Sequence, residues 1–252
     1  MIDPQTLQQL SNKFGIDKYS VLREYIQIRF LNELYALPDS DKLIFKGGTA
    51  LRLLFESNRF SEDLDFTTTL EVADITFLVQ KAVKLLNLEM PDLTIKDLKT
   101  LIGISKKLYL STPITPQPLT IKLDFSQRES VFHVKSGIIK TILPISSTVI
   151  IKYLDPKEVL AEKCRAIMNR EKGRDIYDLW YLLHKGIKLD VELIQKKLNY
   201  YQETYAKKIL MEKVSAWKNS DLENDLRRFL PQNDRGVIEK LKEFLLDELD
   251  KQ

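Results

Sequence analysis

Cysteine is nearly absent from this 252-residue chain: Cys164 stands alone, which excludes an internal disulfide and any zinc site built on cysteines. It falls on an apolar helical stripe and reads as an inert core thiol. Histidine is almost as scarce. His133 and His184 have no carboxylate or cysteine cluster beside them, so both are assigned structural or surface roles. No stretch approaches the roughly 18 consecutive apolar residues of a membrane span. The first residues, MIDPQTLQQL, lack the basic start and apolar run of a signal peptide, and a cytoplasmic location is expected. Charge of one sign is not in excess either. A formal net charge of +3 is too small to identify a nucleic-acid binder by itself.

The chain is 44% hydrophobic and 30% charged, ordinary values for a globular protein, and long enough to bury one large core or two smaller ones. Residues 5–36 read as helical, ended by Pro38-Asp39-Ser40. Leu43-Ile44-Phe45 reads as a short strand, Thr49 to Glu56 as a helix, Leu64 to Thr67 as the next strand, and 71–88 as a helix. Between about 93 and 153 the grammar changes to short apolar or alternating runs: Ile102-Gly103-Ile104, Lys107 to Leu110, Leu119 to Phe125, and Ile138 to Leu143. Pro113, Pro116 and Pro118 mark a loop entering the third of these. From Asp155 onward the chain reads as all helical. Asp155-Pro156-Lys157-Glu158 is a helix start, and further helices are expected over 174–185, 189–200, 203–218, 220–229 and 234–250. The expected fold class is therefore α+β, with an α/β domain over 1–153 and a helical domain over 154–252.

The most informative stretch is Lys46-Gly47-Gly48-Thr49-Ala50-Leu51, followed by Arg59-Phe60-Ser61-Glu62-Asp63-Leu64-Asp65-Phe66. It reads as strand, Gly-Gly turn, short helix and second strand. Alternate residues of a strand face one side, so Asp63 and Asp65 point together while Leu64 and Phe66 enter a core. Two carboxylates side by side repel unless a cation sits between them. A glycine pair lets backbone approach a ligand, and the N–H groups opening the next helix suit a phosphate. The combination indicates a site where a metal ion meets a nucleoside triphosphate. Ser61 shares the face of Asp63 and Asp65 if the strand begins that early, and could hydrogen-bond a phosphate, while Arg59 could pair with one; a serine that only caps a turn is the alternative.

Ile121-Lys122-Leu123-Asp124-Phe125 repeats the alternation, with Lys122 and Asp124 opposite the core. Lys163 lies at the edge of the inward stripe of its helix (Val159, Leu160, Cys164, Ile167, Met168), where a lysine rarely sits without an anionic partner. It is either a cation for the triphosphate or a lysine snorkelling to solvent. Asp175 and Asp178, three apart, are expected on a face away from the stripe Ile176, Leu179, Trp180 and Leu183. They are either functional or an acidic first helical turn. Residues 185–218 hold eight lysines against four acidic residues, with Tyr200, Tyr201, Tyr205 and Trp217 among them. That region could track an RNA backbone or simply present a solvated face.

The turn followed by Asp-x-Asp resembles the nucleotidyltransferase superfamily, and the wording KGGTAL then RFSEDLDF is similar to the AbiEii/AbiGii toxin family. The resemblance spans roughly residues 43–185 in four ordered blocks: KGGTAL, SEDLDF, KLDF, and AEKCRAI followed by RDIYDL. The first two are specific as a pair; the others gain weight from order and spacing. The resemblance implies a small mixed β-sheet flanked by helices, a helical C-terminal domain, and an active site between the two. It also implies that Asp124 is the third carboxylate, and that Asp63, Asp65 and Asp124 bind Mg²⁺. Lys46, Gly47, Gly48, Thr49, Arg59, Ser61 and Lys163 would hold the nucleotide. Lys163 would be joined in the site by Asp175 and Asp178, which the sequence does not rank. Many superfamily members have Gly-Ser where this chain has Gly-Gly, and Thr49 is expected to replace the missing hydroxyl. The implied protein is a Mg²⁺-dependent toxin of a toxin–antitoxin or phage-defence system. It would move a nucleotide from an NTP to tRNA and have an antitoxin as partner and no membrane. Transfer to a small molecule or a protein, or a silent nucleotide- or partner-binding module, are the other readings.

Overall fold

A computed structural model describes residues 1–100, 103–114 and 117–252. Ile102 of the expected run Ile102-Gly103-Ile104, and Pro116 of the expected proline loop, lie outside the described residues. The chain divides into two units, Met1–Tyr153 and Leu154–Gln252.

The first unit opens with two helices, α1 (Pro4–Phe14) and α2 (Lys18–Tyr35), where the sequence suggested one. The break is glycine chemistry. Gly15 takes a left-handed φ of 63°, and its N–H and that of Ile16 close onto the carbonyls of Asn12 and Ser11. Asp17 then caps α2, accepting from the Ser20 N–H at 2.9 Å. There follow β1 (Leu43–Lys46), α3 (Gly47–Leu54), β2 (Leu64–Thr68), α4 (Val72–Leu86), β3 (Leu93–Leu98), β4 (Ile104–Leu110), β5 (Leu119–Ser126), β6 (Val134–Gly137) and β7 (Ile151–Leu154). The expected strand over Ile138 to Leu143 does not form. Ile139 and Leu143 are buried while Ile138 and Ile142 are exposed, a spacing of four rather than the two a strand requires.

The seven strands order as β3-β4-β5-β2-β1-β7-β6 in one mixed sheet, to which β3, β6 and β7 add strands that the sequence pattern does not announce. β1 runs antiparallel to β2, while β2 and β5 are parallel and β3, β4 and β5 form an antiparallel meander. Register partners carry the core: Phe45 opposite Phe66, and Phe66 opposite Phe125. The Phe66 and Phe125 rings stack at 5.0 Å, with Phe45 tilted against Phe66 at 5.4 Å. All three are fully buried, and each such side chain contributes roughly 1.5–3 kcal/mol. The alternation that sends these rings inward sends their strand neighbours to the other face. Helices α2 and α4 pack against each other, α2 also on β5 and α4 on β3.

The second unit is helical: α5 (Pro156–Asn169), α6 (Gly173–His184), α7 (Val191–Asn199), α8 (Lys207–Ser215), α9 (Asn219–Leu226) and α10 (Val237–Asp250). Asp155 caps α5 through the Lys157 N–H at 2.8 Å, with Pro156 in the first turn. Leu160, Leu179, Ile194, Leu198, Leu210, Leu241 and Leu245 are fully buried. Cys164 is buried as well, and burial pushes its thiol far above the usual range, an inert group. Among the described residues no helix is long and apolar enough to cross a membrane.

Candidate active site

Helix α3 begins at the glycines themselves, two residues earlier than expected, with Lys46 as its N-cap and no side chain capping its first N–H groups. Gly47 has a φ of +80°, which L side chains avoid, and a β-carbon on it would collide with the carboxylate of Asp65. A β-carbon on Gly48 would collide with the guanidinium of Arg59 and approach Ser61 Oγ to 2.9 Å. The glycine pair therefore does two things. It brings bare backbone against the Asp65 carboxylate, and it leaves room for Arg59 behind the turn. Lys46 gives α3 no side-chain cap, and the first N–H groups of a helix are in general a donor set suited to phosphate.

Asp65 is the register partner of Lys46 on one side and of Asp124 on the other. Asp124 is in turn the partner of Ser105. One row across the open face of the sheet thus reads Ser105, Asp124, Asp65, Lys46. The Ser105 hydroxyl donates to Asp124 Oδ1, and Lys122 Nζ donates to Asp124 Oδ2 at 2.6 Å. Partial burial draws the Lys122 ammonium down. Its hydrogen bond to Asp124 and the charges of Asp124, Asp63 and Asp65 outweigh this and hold its pKa above the ordinary value. All three aspartates therefore act on one ammonium. Asp63 lies one residue before β2 rather than within it, so Ser61 does not share a strand face with the pair. The Asp63 backbone is fixed instead by the Thr49 hydroxyl, which donates to its carbonyl.

Thr49 is 1% exposed and its hydroxyl donates to the Asp63 carbonyl, so it ties α3 to the aspartate segment. Arg59 is 2% exposed and donates from Nη1 to the Phe60 carbonyl at 3.0 Å, which buttresses the turn before Asp63.

Sequence reasoning missed the polar side of α2. Gln27 Nε2 donates to the carbonyls of Ser61 and Glu62 at 3.2 and 3.0 Å, and Arg23 pairs with Glu62 at 3.0 Å. Glu24 pairs with Arg52 at 2.7 Å, and Arg52 donates to the Ser57 carbonyl at 3.0 Å. These buried polar groups pin residues 57–62, the approach to Asp63. The available signal was Arg23 and Gln27 at a spacing of four on a helix otherwise saturated with apolar residues.

An all-oxygen donor set of Asp63, Asp65 and Asp124 fits a hard divalent cation such as Mg²⁺. Among the described residues no three carboxylate, histidine or cysteine side chains are grouped to hold an ion. Asp124 accepts from Ser105 and Lys122 in this arrangement.

In the helical unit Lys163 finds the anionic partners its position demanded: its Nζ lies 2.8 Å from Asp175 and 2.7 Å from Asp178. The two aspartates are 2% and 1% exposed, not on an outward face as expected, because α5 packs on α6 there and Lys163 meets both across the contact. Arg170 adds a second cation to Asp175 at 2.9 Å. Burial pushes the Asp175 carboxyl up, but Lys163 and Arg170 overcome it and hold its pKa well below the usual carboxylate range. The basic stretch at 185–218 is partly internal. Lys197 is buried against Glu158 at 2.6 Å and Glu162 at 3.3 Å, and Lys196 pairs with Glu192. His133 and His184 are both exposed, the latter stacked on Trp180.

Several solved structures share this fold. MenT4, a nucleotidyltransferase toxin of Mycobacterium tuberculosis H37Rv, superposes with a TM-score of 0.63 at 18% identity over 98% of this chain and 90% of its own. JHP933 from Helicobacter pylori gives 0.57 at 19% identity over 94% and 96%. No curated protein sequence matches the chain. The profile described as nucleotidyl transferase AbiEii toxin, type IV TA system, matches residues 29–248, nearly the whole chain. The chain therefore belongs to the AbiEii family of nucleotidyltransferase toxins from type IV toxin–antitoxin systems.

Proposed function

We propose that this toxin transfers a nucleoside monophosphate from an NTP to a hydroxyl of an RNA acceptor, with tRNA as the acceptor and Mg²⁺ as the metal. The observation that carries the reading is the meeting of Gly47 with Asp65, beside the register pair Asp65 and Asp124. Backbone donors for a triphosphate and carboxylates for its metal share one point of the sheet.

In this reading the acceptor oxygen attacks the α-phosphorus. A new P–O ester bond forms, the α–β anhydride bond breaks, and pyrophosphate leaves. The proton of the acceptor hydroxyl passes to a carboxylate of the set, for which Asp124 is suited once released from Lys122. A bound divalent ion supplies charge neutralisation for the triphosphate and activation of the attacking oxygen. Asp63 and Asp65 would hold it, and the first N–H groups of α3 would orient the phosphates. Lys122 keeps the three carboxylates compatible when no ion is held. The blocks AEKCRAI and RDIYDL carry the further assignment of Lys163 to transfer. Its ammonium is held in one position by two buried carboxylates.

The test is transfer of α-³²P-labelled NTPs, one at a time, to total bacterial tRNA with Mg²⁺. Label that vanishes in Asp63→Ala supports the reading and names the nucleotide. Absence of label from every NTP, with folded protein, moves the assignment to a small-molecule or protein acceptor.

A further inference from the structure

A second row crosses the same open face of the sheet, one step along the strands from the carboxylates. Lys96 on β3 is the register partner of Lys107 on β4, and Lys107 is the partner of Lys122 on β5. Three lysines thus stand directly opposite one another on three adjacent strands. Like charges in cross-strand pairs are unfavourable. Lys122 is relieved by Asp124. Lys96 and Lys107 are not. Among the described residues neither has a carboxylate at ion-pair distance, and both ammoniums lie over the ring of Tyr109, at 5.3 and 5.6 Å from its centroid. Tyr109 is on the same face, opposite Thr94 and Thr120. Lys96 is exposed, Lys107 and Tyr109 are half-buried, and the Lys122 side chain is 39% exposed. The other lysine of this meander, Lys106, is on the core side and is neutralised by Asp97 at 2.6 Å. The unneutralised charge is therefore confined to one face.

We propose that Lys96, Lys107 and Lys122, with Tyr109 as a stacking platform, form a track for the phosphate backbone of the acceptor's single-stranded end, leading it to the aspartates. This rests on the nucleotidyltransferase reading above and names where its acceptor lies. Charge complementarity selects the occupant: Lys96 and Lys107, like cations with no carboxylate partner among the described residues, are compensated by a polyanion, and a ring amid the lysines suits an unpaired base. Strands about 4.8 Å apart make the row roughly 10 Å long. A stacked strand carries one phosphate per about 3.4 Å, so the row spans about three. It starts at the sheet edge on β3 and ends at Lys122, whose ammonium feels Asp63, Asp65 and Asp124. A backbone seated on it delivers a strand terminus to the carboxylates.

The experiment uses the full chain and the double variant Lys96→Gln/Lys107→Gln, which leaves Lys122 and the aspartates untouched. Binding of a fluorescein-labelled 12-nucleotide single-stranded RNA is followed by anisotropy across a salt series, with a 12-base-pair duplex and free NTP as comparison ligands. The expected result is a roughly tenfold or greater loss of single-strand affinity, and a salt slope shallower by about 0.7 per lost phosphate contact. NTP affinity should be unchanged. The melting temperature should be equal or higher, since a like-charge pair has been removed. Unchanged RNA affinity and slope would overturn the track. So would an equal loss for the duplex, which would mean diffuse charge rather than a seated strand. A protein that transfers label to tRNA with a KM for tRNA unaffected by the double variant would lose this inference and keep the nucleotidyltransferase reading. One that binds RNA through the lysines but transfers nothing would do the reverse.

Discussion

Asp65 and Asp124 are register partners on the parallel strands β2 and β5, so two carboxylates leave the same face of the sheet side by side, above the stacked rings of Phe66 and Phe125. The two carboxylates repel each other, and the Lys122 ammonium, bonded to Asp124, offsets part of that repulsion. Asp65→Asn is therefore expected to separate activity from stability. Nucleotide transfer should fall by at least about 10²–10³-fold, the scale of losing one principal electrostatic contact. The melting temperature should stay level or rise. Transfer assays beside thermal melts check this, and a variant that melts earlier while retaining transfer would refute the assigned role.

Gly47 cannot accept a side chain without a local shift. Its φ of +80° costs an L residue about 1–2 kcal/mol, and the new methyl would meet the Asp65 carboxylate. Gly47→Ala should lower stability by that amount or more and raise the KM for NTP, because the carboxylate or the helix start must move. Gly186, with φ +81° and open space around it, is the control: alanine there should carry the conformational cost alone and leave KM unchanged.

The clamp from α2 gives a prediction at a distance from the chemistry. Gln27→Leu removes both hydrogen bonds that Nε2 makes to the carbonyls of Ser61 and Glu62. Leaving part-buried carbonyls without that donor should cost about 1–3 kcal/mol. It should also lower kcat more than it changes KM for NTP, because the segment approaching Asp63 loosens while α3 does not. Hydrogen exchange at residues 57–63 should rise in the variant; unchanged exchange would sink the idea.

These cases show which parts of the molecule were readable beforehand. KGGTAL and SEDLDF were legible because a glycine pair and an alternation of period two are local patterns. The α+β class followed from the same grammar. The Gln27 clamp was not legible because it joins residues 34 and 35 positions apart. Strand β3, LTIKDL, was missed because alternation with lysine and aspartate reads as surface until a partner strand is known. The burial of Asp175 and Asp178 was misjudged because helix periodicity reports one apolar stripe and says nothing of a lysine arriving from a neighbouring helix. Residues 5–36 were joined into one helix because the hydrophobic pattern runs on through Gly15, whose left-handed turn decides otherwise.

Asp175 also makes acid stability predictable. Its folded-state pKa is depressed by Lys163 and Arg170 despite burial. A depressed carboxyl contributes stability that is fully present above the unfolded value near 3.9 and is lost as pH falls through the folded one. The melting temperature should therefore drop as pH is lowered below about 4. The drop should be shallower in a variant where Asp175 and its cationic partner are both neutral.

That variant also decides what Lys163 does. Lys163→Met alone leaves Asp175 with only the half-exposed Arg170, and removes from Asp178 a partner at 2.7 Å, so a loss of about 3–5 kcal/mol is expected. The triple variant Lys163→Met/Asp175→Asn/Asp178→Asn removes charge of both signs and should recover most of that stability, since neutral groups of similar shape replace a buried ionic cluster at little net cost. Transfer by the triple variant then separates two roles that stability alone confuses. If it is folded yet inactive, with binding of a labelled NTP weakened, Lys163 acts on the nucleotide and the aspartates only aim it. If it transfers as the wild type does, the cluster is a structural pin of α5 on α6, and the assignment of Lys163 to transfer falls.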